Sequence, residues 1–311
     1  MSTTTQKPPT PHAQAPQRTL QAILLVSAAV LVFACMDSTT KYLSMRYSVS
    51  LVVAARYVVN LIMLVVFFAP KFGLSLFVIR RKKLVWLRAI SLSLASLCAG
   101  LALKTMPVAE TTAIIYLAPF GVLLLSAPLL GEKVKLSGWI ATVCGFLGLL
   151  LIARPGSGLS TSGIIYALLC AATTMIYHLL SRLLAKTEST EAMLFYTALA
   201  GSILFVAILP WSWQTPSLSE LDVVLFISMG AFALGGHFLF TAAYRLAPAS
   251  LLTPVNYVHL VWASLLGWLI FNHVPDFLSI CGLVIIVASG AGTALWNHLR
   301  RGRSEGTLAP D

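Results

Sequence analysis

Residues 20–42 read LQAILLVSAAVLVFACMDSTTKY, and no charged side chain interrupts them before Asp37. The stretch is long enough to cross a bilayer, because about 20 apolar residues in an α-helix span the hydrocarbon core. A backbone in lipid must satisfy its own hydrogen bonds, so a single span of this kind can only be helical. The segment is also too long for the apolar core of a signal peptide. It therefore predicts a membrane protein.

The composition extends this prediction to the whole chain. Of its 311 residues, 58% are hydrophobic and only 10% are charged, and the mean hydropathy is +0.88. Soluble domains carry about 25% charged residues, so an ordinary soluble enzyme and a disordered chain are excluded. We predict an all-α polytopic membrane protein whose loops are too short to form a soluble domain. Its ten transmembrane helices are placed at 20–42, 49–69, 84–103, 107–129, 134–153, 162–182, 191–211, 221–243, 248–271 and 276–298.

The distribution of charge predicts the orientation of these helices. The formal net charge is +11, and basic residues collect in the cytoplasmic loops of membrane proteins. If residues 1–19 and 299–311 are both cytoplasmic tails, the first of them disordered, most Lys and Arg residues lie on the cytoplasmic side. The run Arg80-Arg81-Lys82-Lys83 then contacts lipid head groups, and we predict no nucleic-acid partner.

The sequence lacks the patterns of the common enzymes and cofactor sites. All five cysteines fall in apolar segments without C-x-x-C spacing, so we predict neither a disulfide nor a metal site. The chain contains no H-E-x-x-H, G-x-S-x-G or G-x-x-x-x-G-K-[ST] pattern. We therefore expect no enzyme and no cofactor, and ATP is not the direct energy source.

An internal repeat relates the two halves at a spacing of 141 residues. Lys104-Thr105-Met106-Pro107 aligns with Arg245-Leu246-Ala247-Pro248, and Tyr116 aligns with Tyr257. Coincident charge, proline and tyrosine at one spacing indicate a duplicated unit.

Each repeat, 20–153 and 162–298, contains five predicted spans. Five is an odd number, so the second repeat is inverted in the membrane relative to the first. Inverted repeats are a recurrent architecture of secondary transporters, in which one repeat rocks against the other around a site near the midplane. The repeat therefore predicts alternating access.

Several short motifs occur along the chain: Asp37-Ser38-Thr39-Thr40-Lys41-Tyr42, Arg56-Tyr57, the stretch 103–107, Pro119, Leu130-Gly131-Glu132-Lys133 and the stretch 138–145. With these motifs, about residues 20–298 resemble the EamA-type, ten-helix branch of the drug/metabolite transporter superfamily. The sequence departs from the family at Asn272-His273, where a Gly-Glu pair is usual.

This resemblance implies transport of a small organic metabolite across a bacterial inner membrane, often efflux, with coupling to an ion such as the proton or to exchange. Asp37 and Glu110 opposite Arg56 and Lys104 favour an amino-acid-like or zwitterionic substrate. A metal-chelating metabolite is a specific variant. The alternative is an importer of a vitamin or nucleoside-like metabolite, of the riboflavin or S-adenosylmethionine type.

Four charged residues near the predicted outer face are candidates for substrate binding or gating: Asp37, Lys41, Arg56 and Glu110. Asp37 and Arg56 lie about 8 and 10 Å deep at 1.5 Å per residue, so they can form an ion pair, with Lys41 as a competitor. That pair serves as a gate, a substrate site or a structural link. Glu110 either takes a proton or binds an amine, or it simply favours the first turn of a helix.

Near the midplane, the fourth and ninth spans carry the other candidates. Tyr116 and Pro119 lie in the fourth, and Asn256, Tyr257 and His259 lie in the ninth. A proline within a span frees a backbone carbonyl, and freed carbonyls line substrate sites in transporters. The two tyrosines either hold a planar or cationic ligand between them or pack in the core.

Two histidines, His178 and His237, lie near the predicted inner face at one depth. They line a cavity or are buried core residues. An intramembrane enzyme acting on lipid or peptide would use these two or His259, and a channel or scaffold is a third class of function. Neither class has a motif that supports it.

Overall fold

A computed structural model describes residues 11–122, 125, 136–154, 158–184, 187–212, 218–246, 252, 255–289 and 292. Within these ranges the chain forms helices and no strand, which confirms the all-α prediction. The α-helices are α1 Pro11–Ser44, α2 Val49–Phe72, α3 Lys82–Thr105, α4 Val108–Ile115, α5 Leu136–Ile152, α6 Thr161–Leu184, α7 Thr190–Ser212, α8 Glu220–Leu246, α9 Val258–Phe271 and α10 Phe277–Ser289. A short 3-10 helix, Gly73–Phe77, follows α2.

Helices α1, α2, α3, α6, α7 and α8 are each long and apolar enough to cross a membrane. The other four helices are shorter within the described residues, though equally apolar. The chain is therefore a multi-pass membrane protein. The end of the bundle where α1 ends and α2 begins is here called the Tyr47 side. The opposite end, where α2 ends, is the Lys71 side.

Helix α1 begins at Pro11 rather than at residue 20, where the predicted span starts. Extending an existing helix adds one hydrogen bond for each residue that is ordered, so the helix propagates beyond its apolar part. Ala13, Gln14 and Ala15 have high helix propensity and favour this extension. Residues 1–10 of the predicted tail lie outside the described part of the chain.

Helix α4 is interrupted where the sequence predicts a continuous span. The regular helix ends at Ile115, Tyr116 and Leu117 form a turn, and helical structure resumes after them. The amide of Leu117 donates to the Ile114 carbonyl at 3.1 Å, a tighter bond than the α-helical one. Pro119 has no amide hydrogen and cannot bond the Ile115 carbonyl, which explains the position of the break.

The repeat-related Tyr257 marks a similar interruption at the start of α9. It lies in a turn between a helical pair at residues 255–256 and the helix that begins at Val258. The Leu260 amide donates to the Tyr257 carbonyl at 3.0 Å, across three residues instead of four. Both tyrosines thus sit where a helix breaks, a feature typical of transporter sites.

The two halves of the chain interlock rather than forming separate bundles. Helix α3 packs along α6, α1 along α8 and α9, and α2 along α7 and α8. Each of these pairs joins a helix from the first half to one from the second. The interior of the protein is therefore the interface between the halves.

Helices α5 and α10 meet backbone to backbone. A Cβ added to Gly148 would lie 2.8 Å from the Gly282 carbonyl oxygen, and one added to Gly282 would lie 2.6 Å from the Gly148 carbonyl oxygen. Only glycine permits such an approach, which is common between helices in lipid.

We expect Gly148→Ala to destabilise the protein by about 1–3 kcal/mol, because the added methyl group forces the two backbones apart. Gly235 in α8 is the matched control, since a Cβ there meets nothing within 4 Å. Gly235→Ala should be neutral or stabilising by up to about 1 kcal/mol. Thermal unfolding of the purified protein in detergent measures both variants, and equal midpoints would contradict the close contact.

Candidate functional site

A cavity of about 650 Å³ lies within the bundle, between α1, α2, α3, α6, α7 and α8. Its inner limit is at Met36 and Arg56, here called the deep end. Arg56 is about 10 Å from the Tyr47-side end of α2, at 1.5 Å per residue. From there the cavity extends to Lys71, Glu191 and Leu246, here called the mouth. It therefore leads toward the Lys71 side.

The walls of the cavity are mainly apolar and aromatic, as is usual for sites that bind small organic molecules. The apolar lining residues are Met36, Leu64, Phe67, Phe68, Phe72, Leu92, Leu194, Ala233, Leu234, Phe238, Ala242 and Leu246. The polar lining residues are Arg56, Tyr57, Asn60, Lys71, Ser96, Tyr177, Thr190, Glu191, Thr197 and His237.

Asp37 and Arg56 do not form the ion pair that their equal depth makes feasible. The Arg56 guanidinium carbon lies 5.0 Å from the centre of the Tyr57 ring, and no carboxylate of the described residues pairs with it. Asp37 instead faces His259, with 3.4 Å between Oδ2 and Nε2. The reason is that α1 packs against α9, which presents His259 to Asp37, while Arg56 faces the cavity.

The predicted midplane residues do come together, and Asp37 joins them. His259 Nδ1 lies 3.1 Å from the Tyr116 hydroxyl, which donates to the Asn256 carbonyl at 2.9 Å. The Tyr116 and Tyr257 rings are tilted together, with centroids 5.4 Å apart. None of these side chains lines the cavity. They form a contact between the halves, not a ligand-binding surface in this state.

A second contact lies nearer the Tyr47 side. Glu110 is only 2% exposed, and its carboxyl group is hydrogen-bonded to His273 Nε2 at 2.9 Å. The Lys41 ammonium donates to the carbonyls of Leu103 and Met106, at 2.9 and 2.7 Å. Lys41 thereby satisfies carbonyls that the end of α3 leaves free, and it does not bind Asp37.

We call these two groups of contacts the closure: Asp37 with His259 and Tyr116, and Glu110 with His273. Sequence reasoning did not find His273 as a site residue, although it noted that Asn272-His273 departs from the family pattern. That departure was the available signal, because the histidine is the partner of Glu110.

Two ion pairs also join the halves at the Tyr47 side. Arg46 lies 3.6 Å from Asp222, which also accepts a hydrogen bond from the Tyr47 hydroxyl at 2.8 Å. Arg154 pairs with Asp276; its hydrogen bond lowers the pKa of that carboxyl to about 2. Each pair joins one half to the other, and none of these residues was predicted to belong to a functional site.

Arg88 is a buried cation that lies within the predicted third span and was not among the predicted site residues. It is 4% exposed and reaches from α3 to α6 and α7. Its hydrogen-bond acceptors are all neutral, and two of them also line the cavity. They are Ser181 Oγ at 2.6 Å, Thr197 Oγ1 at 2.9 Å, the Tyr177 hydroxyl at 2.9 Å and the Met193 carbonyl at 3.1 Å.

The two inner histidines have different surroundings. His237 lines the cavity, and its ring packs edge-on to Phe33 at 5.2 Å. His178 is not among the lining residues; its ring contacts Tyr177 at 5.3 Å. The structure therefore brings one of the predicted pair to the cavity.

The model of the EamA-like transporter family matches this chain twice, over residues 20–154 and 161–295. The chain belongs to that family. One solved crystal structure superimposes with a TM-score of 0.57, covering 94% of this chain and 99% of the other at 21% identity. At that identity the likeness shows the fold alone.

Curated relatives are named as transporters of different small molecules. An S-adenosylmethionine uptake transporter of Rickettsia prowazekii is 29% identical over 60% of this chain and 62% of that protein. The pseudopaline exporter CntI of Pseudomonas aeruginosa is 28% identical over 65% and 71%. A riboflavin transporter of Vibrio cholerae is 25% identical over 93% and 98%. The match thus spans less than two thirds of the length of the S-adenosylmethionine transporters.

We expect Lys41→Met to lower stability by roughly 1–3 kcal/mol, because two carbonyls at the end of α3 lose a charged hydrogen-bond donor. Lys104→Met is the control, since the Lys104 side chain lies at the end of α3 but is exposed. The unfolding midpoints of both proteins in detergent test this. If Lys104→Met lowers the unfolding midpoint as much as Lys41→Met does, the hydrogen bonds of Lys41 do not stabilise the end of α3.

Proposed function

We propose that this protein is a secondary active transporter that exports a small organic metabolite by alternating access. The observation that carries the proposal is the asymmetry of the cavity. It leads to the Lys71 side, and contacts between the two halves close the path to the Tyr47 side.

The closure has the properties of a gate. Each of its contacts joins one half to the other, and each uses polar groups that water can solvate when the halves separate. Rocking of the repeats, 20–153 and 162–298, would break the Asp37–His259 and Glu110–His273 contacts together. The cavity would then open to the Tyr47 side, as the inverted-repeat mechanism requires.

The proposed location is the inner membrane of a bacterium, with both termini in the cytoplasm. The Lys71 side is then cytoplasmic, because the exposed run Arg80-Arg81-Lys82-Lys83 follows α2 and basic loops remain inside. The structure would represent an inward-facing state, ready to receive a metabolite from the cell.

Coupling to protons or to exchange is part of the proposal. Asp37, Glu110 and their histidine partners are titratable groups whose contacts must break when the gate opens. A change in the charge of either partner would change the strength of its contact. These residues are therefore the candidates for coupling; no resident cofactor is proposed.

The second candidate function is import of a vitamin or nucleoside-like metabolite. The observation that favours it is the match to the riboflavin transporter, which covers 93% of this chain and 98% of that protein. An intramembrane enzyme is not proposed, because His178, His237 and His259 lie on three helices and only His237 lines the cavity.

Flux measurements test the function directly. The purified protein is placed in liposomes loaded with a broad mixture of small metabolites, and the released compounds are identified by mass spectrometry. We expect saturable release of one chemical class, accelerated by the same compound outside. If no compound leaves faster than from protein-free liposomes, the transporter proposal fails.

A reversible crosslink tests the gate. Ser50 and Ser212, whose hydroxyl oxygens lie 2.6 Å apart across the two halves at the Tyr47 side, are both replaced by Cys in a protein whose five native cysteines are Ala. We expect oxidation to stop flux, because a disulfide would hold the Tyr47 side closed, and reduction to restore it. Each single-Cys variant is the control for nonspecific oxidation. Undiminished flux in the fully crosslinked protein would exclude this gate.

A further inference from the structure

The deep end of the cavity contains a cation without a counter-ion. Arg56 lines this end, and its one described partner is the face of the neighbouring Tyr57 ring. Arg88 lies next to the cavity lining, where it is buried and donates hydrogen bonds only to neutral groups. Two of these acceptors, Tyr177 and Thr197, line the cavity. A charge removed from water is costly unless an opposite charge compensates it. Both guanidiniums therefore favour an anion in the cavity.

The other charges do not cancel this excess. Lys71 and Glu191 have opposite charges and both lie at the mouth. Lys71 is about 22 Å along α2 from Arg56 at 1.5 Å per residue. Asp37 and Glu110 lie in the closure beside histidines, and neither of them lines the cavity. Among the described lining residues, Arg56 is therefore the one formally charged side chain at the deep end.

Asn60 supplies a second polar group beside Arg56. It lies one helical turn further along α2, and residues at this spacing are neighbours on one face. Both side chains line the cavity. Asn60 Oδ1 is buried and accepts no hydrogen bond, whereas buried acceptors are normally satisfied. Rotation of the Asn60 amide group would turn this oxygen toward the cavity, where a ligand that donates a hydrogen bond would satisfy it.

We propose that the cavity binds a small organic acid with a hydrogen-bond donor next to its carboxylate. The carboxylate binds the planar Arg56 guanidinium, which suits bidentate recognition. The adjacent N–H or O–H donates to Asn60, and an apolar remainder packs on Leu64, Phe68 and Phe238 toward the mouth. This inference rests on the proposed transport function for its biological meaning, but binding is measured without transport.

The preference for an anion changes the reason for expecting a zwitterionic substrate. Of the four residues that suggested it, only Arg56 lines the cavity. An amino acid still fits, because its amino group can be the donor to Asn60. A cationic ligand without a carboxylate does not fit, since it would place a second positive charge beside Arg56.

Matched probes test the ligand class. N-Acetyl-L-phenylalanine carries the carboxylate and the donor, its amide lacks the charge, and 3-phenylpropionate lacks the donor. Binding to the full chain in detergent is followed by the shift in unfolding temperature on titration. We expect the acid to bind roughly tenfold or more tightly than its amide, the size expected for hydrogen bonds to a charged group.

Three variants locate the effect. Arg56→Gln should reduce the affinity for the acid to that for the amide. Asn60→Leu should weaken N-acetyl-L-phenylalanine but not 3-phenylpropionate. Arg81→Gln is the matched control, because the Arg81 side chain is exposed outside the cavity. Equal affinity for acid and amide, or unchanged acid affinity in Arg56→Gln, overturns the proposal.

A thiol measurement decides the question if none of the three probes binds. Asn60→Cys, in a protein without native cysteines, is reacted with anionic sulfonatoethyl and cationic trimethylammonioethyl methanethiosulfonate. Relative to their rates with free cysteine, we expect the anion to react faster, and this preference to disappear when Arg56→Gln is added. Faster reaction of the cation would overturn the positive deep end.

The two proposals fail in different ways. Binding of the acid without any flux in liposomes would remove the transport function and leave the ligand class intact. Saturable flux of compounds without a carboxylate, unaffected by Arg56→Gln, would keep the transport function and remove the ligand class.

Discussion

The high cost of an unpaired charge in lipid is the constraint on which this structure depends. In the described spans, several charged and polar groups with little access to water find partners in the opposite half of the chain. Asp37 meets His259, Glu110 meets His273, and Arg88 reaches acceptors on α6 and α7. The same contacts therefore stabilise the fold and hold the halves in one relative position. A protein built in this way can change state only by moving these groups from one another to water.

The two broken helices show how the repeat serves this purpose. Tyr116 and Tyr257 occupy equivalent positions at the two interruptions, and their rings pack together. The Tyr116 hydroxyl bonds the Asn256 carbonyl, beside the break in the other half. Because an interrupted helix leaves backbone groups unpaired, each break needs a partner at this depth. The duplicated sequence places those partners next to one another.

Hydropathy and the repeat predicted the number of helices and the clustering of Tyr116, Asn256, Tyr257 and His259, because lipid enforces helical spans and sets residue depth. The same reasoning failed for the partner of Asp37. Depth along a helix axis is one coordinate, whereas pairing also depends on rotation about the axis, which side-chain packing between halves determines. Arg88 and His273 were missed for a related reason: their partners are neutral groups or distant residues that no spacing rule connects.

The uncompensated guanidinium of Arg56 has an energetic consequence for the cycle. If the protein works by the proposed alternating access, passing between the two open states requires an occluded intermediate in which the cavity loses its contact with water. With a bound anion, this step encloses a neutral pair, whereas an empty carrier must enclose a bare cation at a much higher electrostatic self-energy. The loaded carrier should thus reorient faster than the empty one, and acid added on the far side should accelerate efflux. Such a molecule would act as an antiporter of acids, swapping one for another, rather than as a one-way pump.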